Sequence, residues 1–156
     1  MICPKKLGIR TAEKYEVKSV PQAAGQEPSR AWMLEFSEVE DIAKDHQLLA
    51  RIVIAKVPKP LKVQETLLKV PIEQKAEVDD LDDELACAFT CVAWVSLALA
   101  KLRDARLVYY LDPSWDALRG RAVRYVESLK LAGQIEWTGQ HVVVSYDMLN
   151  DSEVYA

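Results

Sequence analysis

Glycine, histidine and cysteine are all scarce in this chain, with five, two and three residues among 156. The glycines lie far apart, which leaves no Gly-rich loop able to wrap backbone N–H groups around a phosphate. Cys3, Cys87 and Cys91 cannot all pair with one another, and Cys87 and Cys91 fall one helical turn apart in an apolar setting, a usage that fits reduced thiols. His46 and His141 stand far from the cysteines, so no finger or ribbon spacing for zinc exists, and neither a metal nor a cofactor is expected. Long apolar runs are also missing. Residues 86–100 form the longest, but Thr90 and Ser96 interrupt it and Glu84 and Lys101 bound it, too short a stretch to cross a bilayer. No apolar leader region follows Lys5 and Lys6, which excludes a conventional secretory signal from the expectation. Positive charge is not in excess either: the net charge is −4, so nucleic acid is not an expected partner. These absences together point to a cytoplasmic protein with no membrane association.

What remains is the composition of an ordinary folded domain. Half of the residues are hydrophobic and 28% are charged, and a chain of 156 residues buries enough surface for one core. The expected organisation is a single α+β domain over residues 1–156, with a loosely ordered entry at 1–30, an acidic loop at 77–86 and a polar tail at 150–156. Its sheet is expected to be mostly antiparallel, packed against a buried Cys-bearing helix and a second long amphipathic helix.

The pattern along the chain supports each element. Residues 15–20 alternate as a short strand, and in residues 31–39 Trp32, Leu34 and Phe36 recur with period two against Glu35 and Ser37. Residues 48–57 are apolar and rich in β-branched side chains, the signature of a central strand covered on both faces. Pro58 and Pro60 stop that strand, and Leu61, Val63, Glu65, Leu67 and Leu68 fit a short helix whose apolar side covers the sheet. Six acids within residues 77–84 read as a solvated loop, since an EF-hand would need a central glycine and fixed oxygen spacing. From Cys87 to Arg103 the helical period places Cys87, Cys91, Trp94, Ala98 and Leu102 on one side of a core helix. A strand-like run at 106–111 follows. Ser114 then reads as the N-cap of a helix reaching Ala132, with Gly133 closing it and a stripe of Trp115, Leu118, Ala122, Tyr125, Val126 and Leu129. The chain ends on a hairpin pattern, 134–137 and 141–146, turning at Thr138 and Gly139.

Cys91 is the one candidate chemical feature, and two readings of it stand side by side. After Thr90 and the acidic segment it falls in a first helical turn, where backbone N–H groups and the macrodipole favour a thiolate. Alternatively, Cys87 and Cys91 are small hydrophobes on a buried helix, the commoner fate of free cysteine. A nucleophilic cysteine needs a base within reach. His141, at the start of a strand, is the weak candidate, and His46 falls in a polar connection. Paired carboxylates such as Glu35 with Glu38 or Asp79 with Asp80 read as solvated acids.

Several motifs taken in order resemble a family of small, largely uncharacterised fungal proteins over most of the chain. They are Trp32-Met33-Leu34-Glu35-Phe36, Arg51-Ile52-Val53-Ile54-Ala55-Lys56-Val57, Val70-Pro71-Ile72 with Gln74 and, most specific, Cys91-Val92-Ala93-Trp94-Val95. Members of that family typically read Asn-Cys-x-x-Trp-Val in the helix and His-Trp in an early strand, an order similar to permuted papain-like proteins of the NlpC type. The resemblance implies that Cys91 maps to their nucleophile. It also implies departures: Thr90 stands for Asn, Glu16 stands where relatives often have His, and the His-Trp strand would fall before Met1, so the base is expected to be missing.

The functional expectation is therefore a catalytically incomplete relative, a pseudoenzyme that binds a protein or small-molecule partner, with Trp94, Trp32 and Thr90 as binding residues beside Cys91. The alternative is a cysteine-dependent hydrolase or acyl transferase using Cys91 with His141 or His46. A third expectation is a homodimer with a structural or assembly role, formed through an open sheet edge.

Overall fold

A computed structural model describes residues 2–4, 12–21, 30–41, 48–59, 61–72, 90–109, 114–135 and 143–154. Helices and strands both contribute, and the class is α+β as the sequence patterns require. The first sheet has strand order β1-β2-β3, from β1 (Ile2–Pro4), β2 (Ala12–Pro21) and β3 (Arg30–Val39), with every neighbour antiparallel. The register sets Ser19 opposite Trp32, Val17 opposite Leu34 and Tyr15 opposite Phe36, so these six side chains share one face. Tyr15 and Val17 are buried there, and Trp32 and Leu34 pack against them half-buried. Phe36 belongs to the same face by period two, yet it is 53% exposed. The physical reason is position: among the described residues β3 has a neighbour on one side only, and cover runs out along a sheet edge.

The second sheet corrects an expectation. Residues 48–57 do not form a central strand; β4 spans only Ala50–Val53, is half-buried throughout and ends the order β4-β5-β6. It pairs in parallel with β5 (Val144–Asp147), which pairs antiparallel with β6 (Ser152–Val154). A continuous apolar run cannot by itself separate a buried strand from a buried connection. Here the run divides: four residues enter the ladder, Lys56 makes an isolated bridge to Tyr109, and Ala55 and Val57 pack on the core as connection. β6 forms within the stretch that reads as a polar tail, and Arg106 belongs to a helix-ending turn, so the strand-like run at 106–111 contributes only the bridge at Tyr109 among its described residues.

Helix α1 (Leu61–Leu67) follows Pro58 as expected. Its buried stripe is Val63 and Leu67, one turn apart, while Leu61 and Leu68 face solvent, so the apolar side is narrower than the sequence implied. Helix α2 (Cys91–Asp104) packs against α1 and β2 and buries Trp94, Ala98, Leu99 and Leu102. Val92 and Leu97 remain more than 40% exposed, so one side of α2 meets the core and the other does not. Helix α3 (Trp115–Leu131) starts at Ser114, whose Oγ accepts the Ala117 N–H, and buries Leu118 and Leu129. Both long helices end in the same backbone motif. In α3 the N–H of Gly133 reaches the Lys130 carbonyl and that of Gln134 the Leu129 carbonyl, with Gly133 at φ 66°. In α2 Arg106 donates to the Arg103 carbonyl and Leu107 to the Leu102 carbonyl, with Arg106 at φ 54°.

The core gathers Tyr15 and Val17 of β2, Val63 and Leu67 of α1, Trp94, Ala98 and Leu102 of α2, and Leu107 and Val108 just beyond it. The acidic segment 77–86, Cys3, Cys87, His46, His141 and the turn at 138–139 lie outside the described residues or have side chains that are not described.

Candidate functional site

The first turn of α2 is built by Thr90. Its backbone is extended, at φ −131° and ψ 160°, and its side chain turns back so that Oγ1 accepts the Ala93 N–H at 3.1 Å. The Thr90 carbonyl accepts the Trp94 N–H at 3.0 Å, which starts the helical ladder. A β-branched hydroxyl residue at this position satisfies a backbone donor that the helix cannot satisfy internally. Cys91 is therefore the first helical residue, and its free thiol is exposed. The reading that buried it as a small hydrophobe does not hold, for a reason of depth along the axis. Cys91 lies about 4.5 Å before Trp94 along the helix, at a rise of about 1.5 Å per residue. Among the described residues of α2, burial begins at Trp94.

Trp94 goes the opposite way. It is fully buried, among the largest side chains of the core, and its Nε1–H has no hydrogen-bond partner among the described residues. Thr90, Cys91 and Trp94 thus share one turn but point to different environments, and Trp32 packs on the cluster that holds Trp94. The thiol faces solvent, the indole is sealed, and the Thr90 hydroxyl already accepts its capping bond. His141 and His46 both fall outside the described residues, so no Cys–His distance enters the geometry. Among the described residues no cluster of histidine, cysteine and acidic side chains is arranged to hold a metal ion, and no helix is long and apolar enough to cross a membrane.

Glu16 is engaged in a charge cluster on the outer face of the first sheet. Glu16 and Glu35 sit directly opposite each other on β2 and β3, and Lys18 reaches both, at 3.0 and 3.1 Å, while Lys14 lies 3.5 Å from Glu16. Hydrogen bonds to Glu16 and then Glu35 raise the Lys18 pKa above its ordinary 10.5. Two carboxylates face to face repel, and the ammonium between them removes that repulsion.

The same scaffold, from β1 to β6, coincides with a known sequence family. The chain belongs to DUF6914, a family of unknown function whose model matches residues 1–155. Among curated proteins and among solved structures, nothing matches it. The family match takes in both the first turn of α2 and the whole of β3.

Two features of this family member were missed in the sequence. A shallow groove of about 150 Å³ opens between α2 and α3, lined by Ser96, Leu99, Arg103, Trp115 and Leu118, and it does not include Cys91. Arg51 on β4 donates from Nε to the Oγ of Ser145 on β5 at 2.8 Å, and Ser145 is fully buried. Neither carries a local motif. Both arise from residues that only the tertiary fold brings together.

Proposed function

We propose that this protein works by binding another polypeptide along β3 and not by turning over a substrate at Cys91. The observation that carries the reading is the exposure of Met33 and Phe36, 55% and 53%, on a ten-residue strand that has a neighbour on one side only among the described residues. Exposed apolar side chains on an edge strand suit addition of a further strand, in which backbone hydrogen bonds supply affinity and alternate side chains supply specificity. The resemblance to permuted papain-like proteins points the same way. Where the small fungal proteins that it resembles often carry His, this chain has Glu16, held between Lys14 and Lys18. Of the residues expected to bind beside Cys91, Trp94 is sealed in the core and Thr90 caps the helix.

A photo-crosslinking residue, p-benzoylphenylalanine, placed at position 36 and separately at the exposed Arg119 of α3, tests this in cells. A discrete adduct from position 36 that is absent from position 119 is the expected result. No adduct from position 36 would overturn the proposal.

A second reading is favoured by the exposed position of Cys91 at the first residue of a capped 14-residue helix. In that reading Cys91 is the nucleophile of a hydrolase or acyl transferase, with His141 or His46 as base. In a Cys3→Ser/Cys87→Ser background, alkylation of Cys91 much faster than free cysteine, together with thioester turnover lost in Cys91→Ser, would establish it. Alkylation at the rate of free cysteine without turnover would remove it.

A further inference from the structure

The groove between α2 and α3 shares no residue with β3 or with the first turn of α2, and we infer that it binds a small aromatic monocarboxylate. Size sets the first limit. At about 150 Å³ the groove has the volume of a cavity that holds a single benzene ring, so a nucleotide, a long acyl chain or a peptide helix is too large for it. Length agrees with volume. Ser96 and Arg103 are the outermost residues of α2 that line the groove, and their positions on the helix span about 10 Å.

The walls select the body of the ligand. Leu99 and Leu118 are buried and form the floor, while Ala100 and Trp115 are half-buried and still open to it. Trp115 is held in place by the helix start itself, as the first residue after the Ser114 cap. An apolar floor with an indole beside it suits a flat ring, which aromatic side chains contact in offset or edge-to-face arrangements. A sugar or an inorganic ion would leave that apolar surface uncovered.

Charge selects the head group. Among the described residues that line the groove, Arg103 alone carries a formal charge. Its Nε lies 3.8 Å from the neighbouring Asp104, the long limit of an ion pair, and the side chain stays 47% exposed. A guanidinium offers five donors in a planar fork and can serve a second carboxylate while keeping the first. The surrounding sequence has the same sign: residues 101–130 contain seven lysines and arginines against four acids, in a chain of net charge −4. A cation is disfavoured there, and a second negative charge on the ligand would meet no further cation in the lining. One carboxylate at Arg103, with its ring over Leu99 and Leu118, satisfies both ends of the groove.

Protein-observed NMR on the isotope-labelled full chain tests this, with phenylacetate as the probe and phenylacetamide as its neutral counterpart. Saturable shifts at the backbone amides of Ser96, Ala100 and Arg103 and at the Trp115 indole are expected, with a dissociation constant on the order of a millimolar for so small a ligand. Phenylacetamide should bind roughly fivefold more weakly, since it lacks the charge-assisted pair with a half-exposed arginine. In Arg103→Met the acid should fall to the level of the amide while the amide is unaffected, a pattern that general damage to the groove would not produce. Ala100→Phe, which fills the groove, should abolish binding of both. N-acetylphenylalanine sets the same ring and carboxylate on a peptide unit for which the groove has no room, and it should bind more weakly than phenylacetate. Tighter binding of that compound would assign the site to a peptide C-terminus and overturn the inference. So would shifts at these residues that never saturate, equal binding of acid and amide to the parent chain, or a preference for the acid that survives Arg103→Met.

Discussion

Thr90 decides where α2 begins and so where the thiol of Cys91 is presented. Its hydroxyl accepts the Ala93 N–H, and loss of such a cap costs about 1 kcal/mol. Thr90→Ala should therefore lower unfolding free energy by about that amount in urea denaturation, whereas Thr90→Asn, the residue suggested by the Asn-Cys pattern of similar proteins, should leave it within a few tenths because asparagine caps equally well. A full loss in Thr90→Asn would show that the cap is not what Thr90 supplies. This residue was only half legible: Cys91 after Thr90 suggests a first helical turn, but the helical period runs from Cys87 and Thr90 reads as an interruption of the apolar run, so the cap is not assigned. The exposure of Cys91 was not legible. The apolar period running on from Cys87 assigns Cys91 to the buried side, and periodicity reports the face of a helix without reporting where along its axis the core stops.

Helix ends show the same division between readable and unreadable signals. Gly133 announces the stop of α3, because glycine enters the left-handed region without a Cβ clash. Arg106 performs the same backbone turn at the end of α2 with no such signal, and residues 106–111 consequently read as a strand. Tertiary packing holds the turn: Leu102 and Leu107, which the motif's long hydrogen bond joins, are both buried in the core. The two sites make a matched pair of predictions. Arg106→Gly should stabilise the protein by roughly 0.5–1 kcal/mol by relieving a conformation that L-residues resist, and Gly133→Ala should destabilise it by about 1 kcal/mol. Thermal melts of both variants check the signs. Stabilisation absent from Arg106→Gly would mean that the arginine side chain contributes enough at this turn to offset its backbone cost. β3 belongs at this scale too. Its period-two face was readable, but not the exposure of Phe36, since an edge is a property of the sheet and not of the strand.

At the scale of the whole molecule, the sequence specified the class and most of the helices but not which strands meet. β4 and β5 pair in parallel although Arg51 and Ser145 are 94 residues apart, and α1, α2 and α3 lie between them in the chain. No local pattern encodes such a pairing; it forms because the elements between them fold back to bring the two strands together. The joint is then reinforced from the far end. Tyr125 of α3 stacks on Tyr146 of β5 with ring centroids 4.6 Å apart, Tyr146 donates to Asp151, and Arg121 reaches the same carboxylate at 3.2 Å. Within the β4–β5 joint itself the Arg51 Nε–H has Ser145 Oγ as its acceptor. Ser145→Ala would leave a charged donor without that acceptor in a part-buried position, at a cost of about 1–3 kcal/mol. Arg51→Met should also destabilise, through loss of the same bond from the other side. Because both substitutions remove one interaction, the double variant should be less destabilised than the two single effects added together. Denaturation of the four proteins in the cycle measures that coupling, and strict additivity would show that the two strands are held by backbone pairing and the α3 contacts alone.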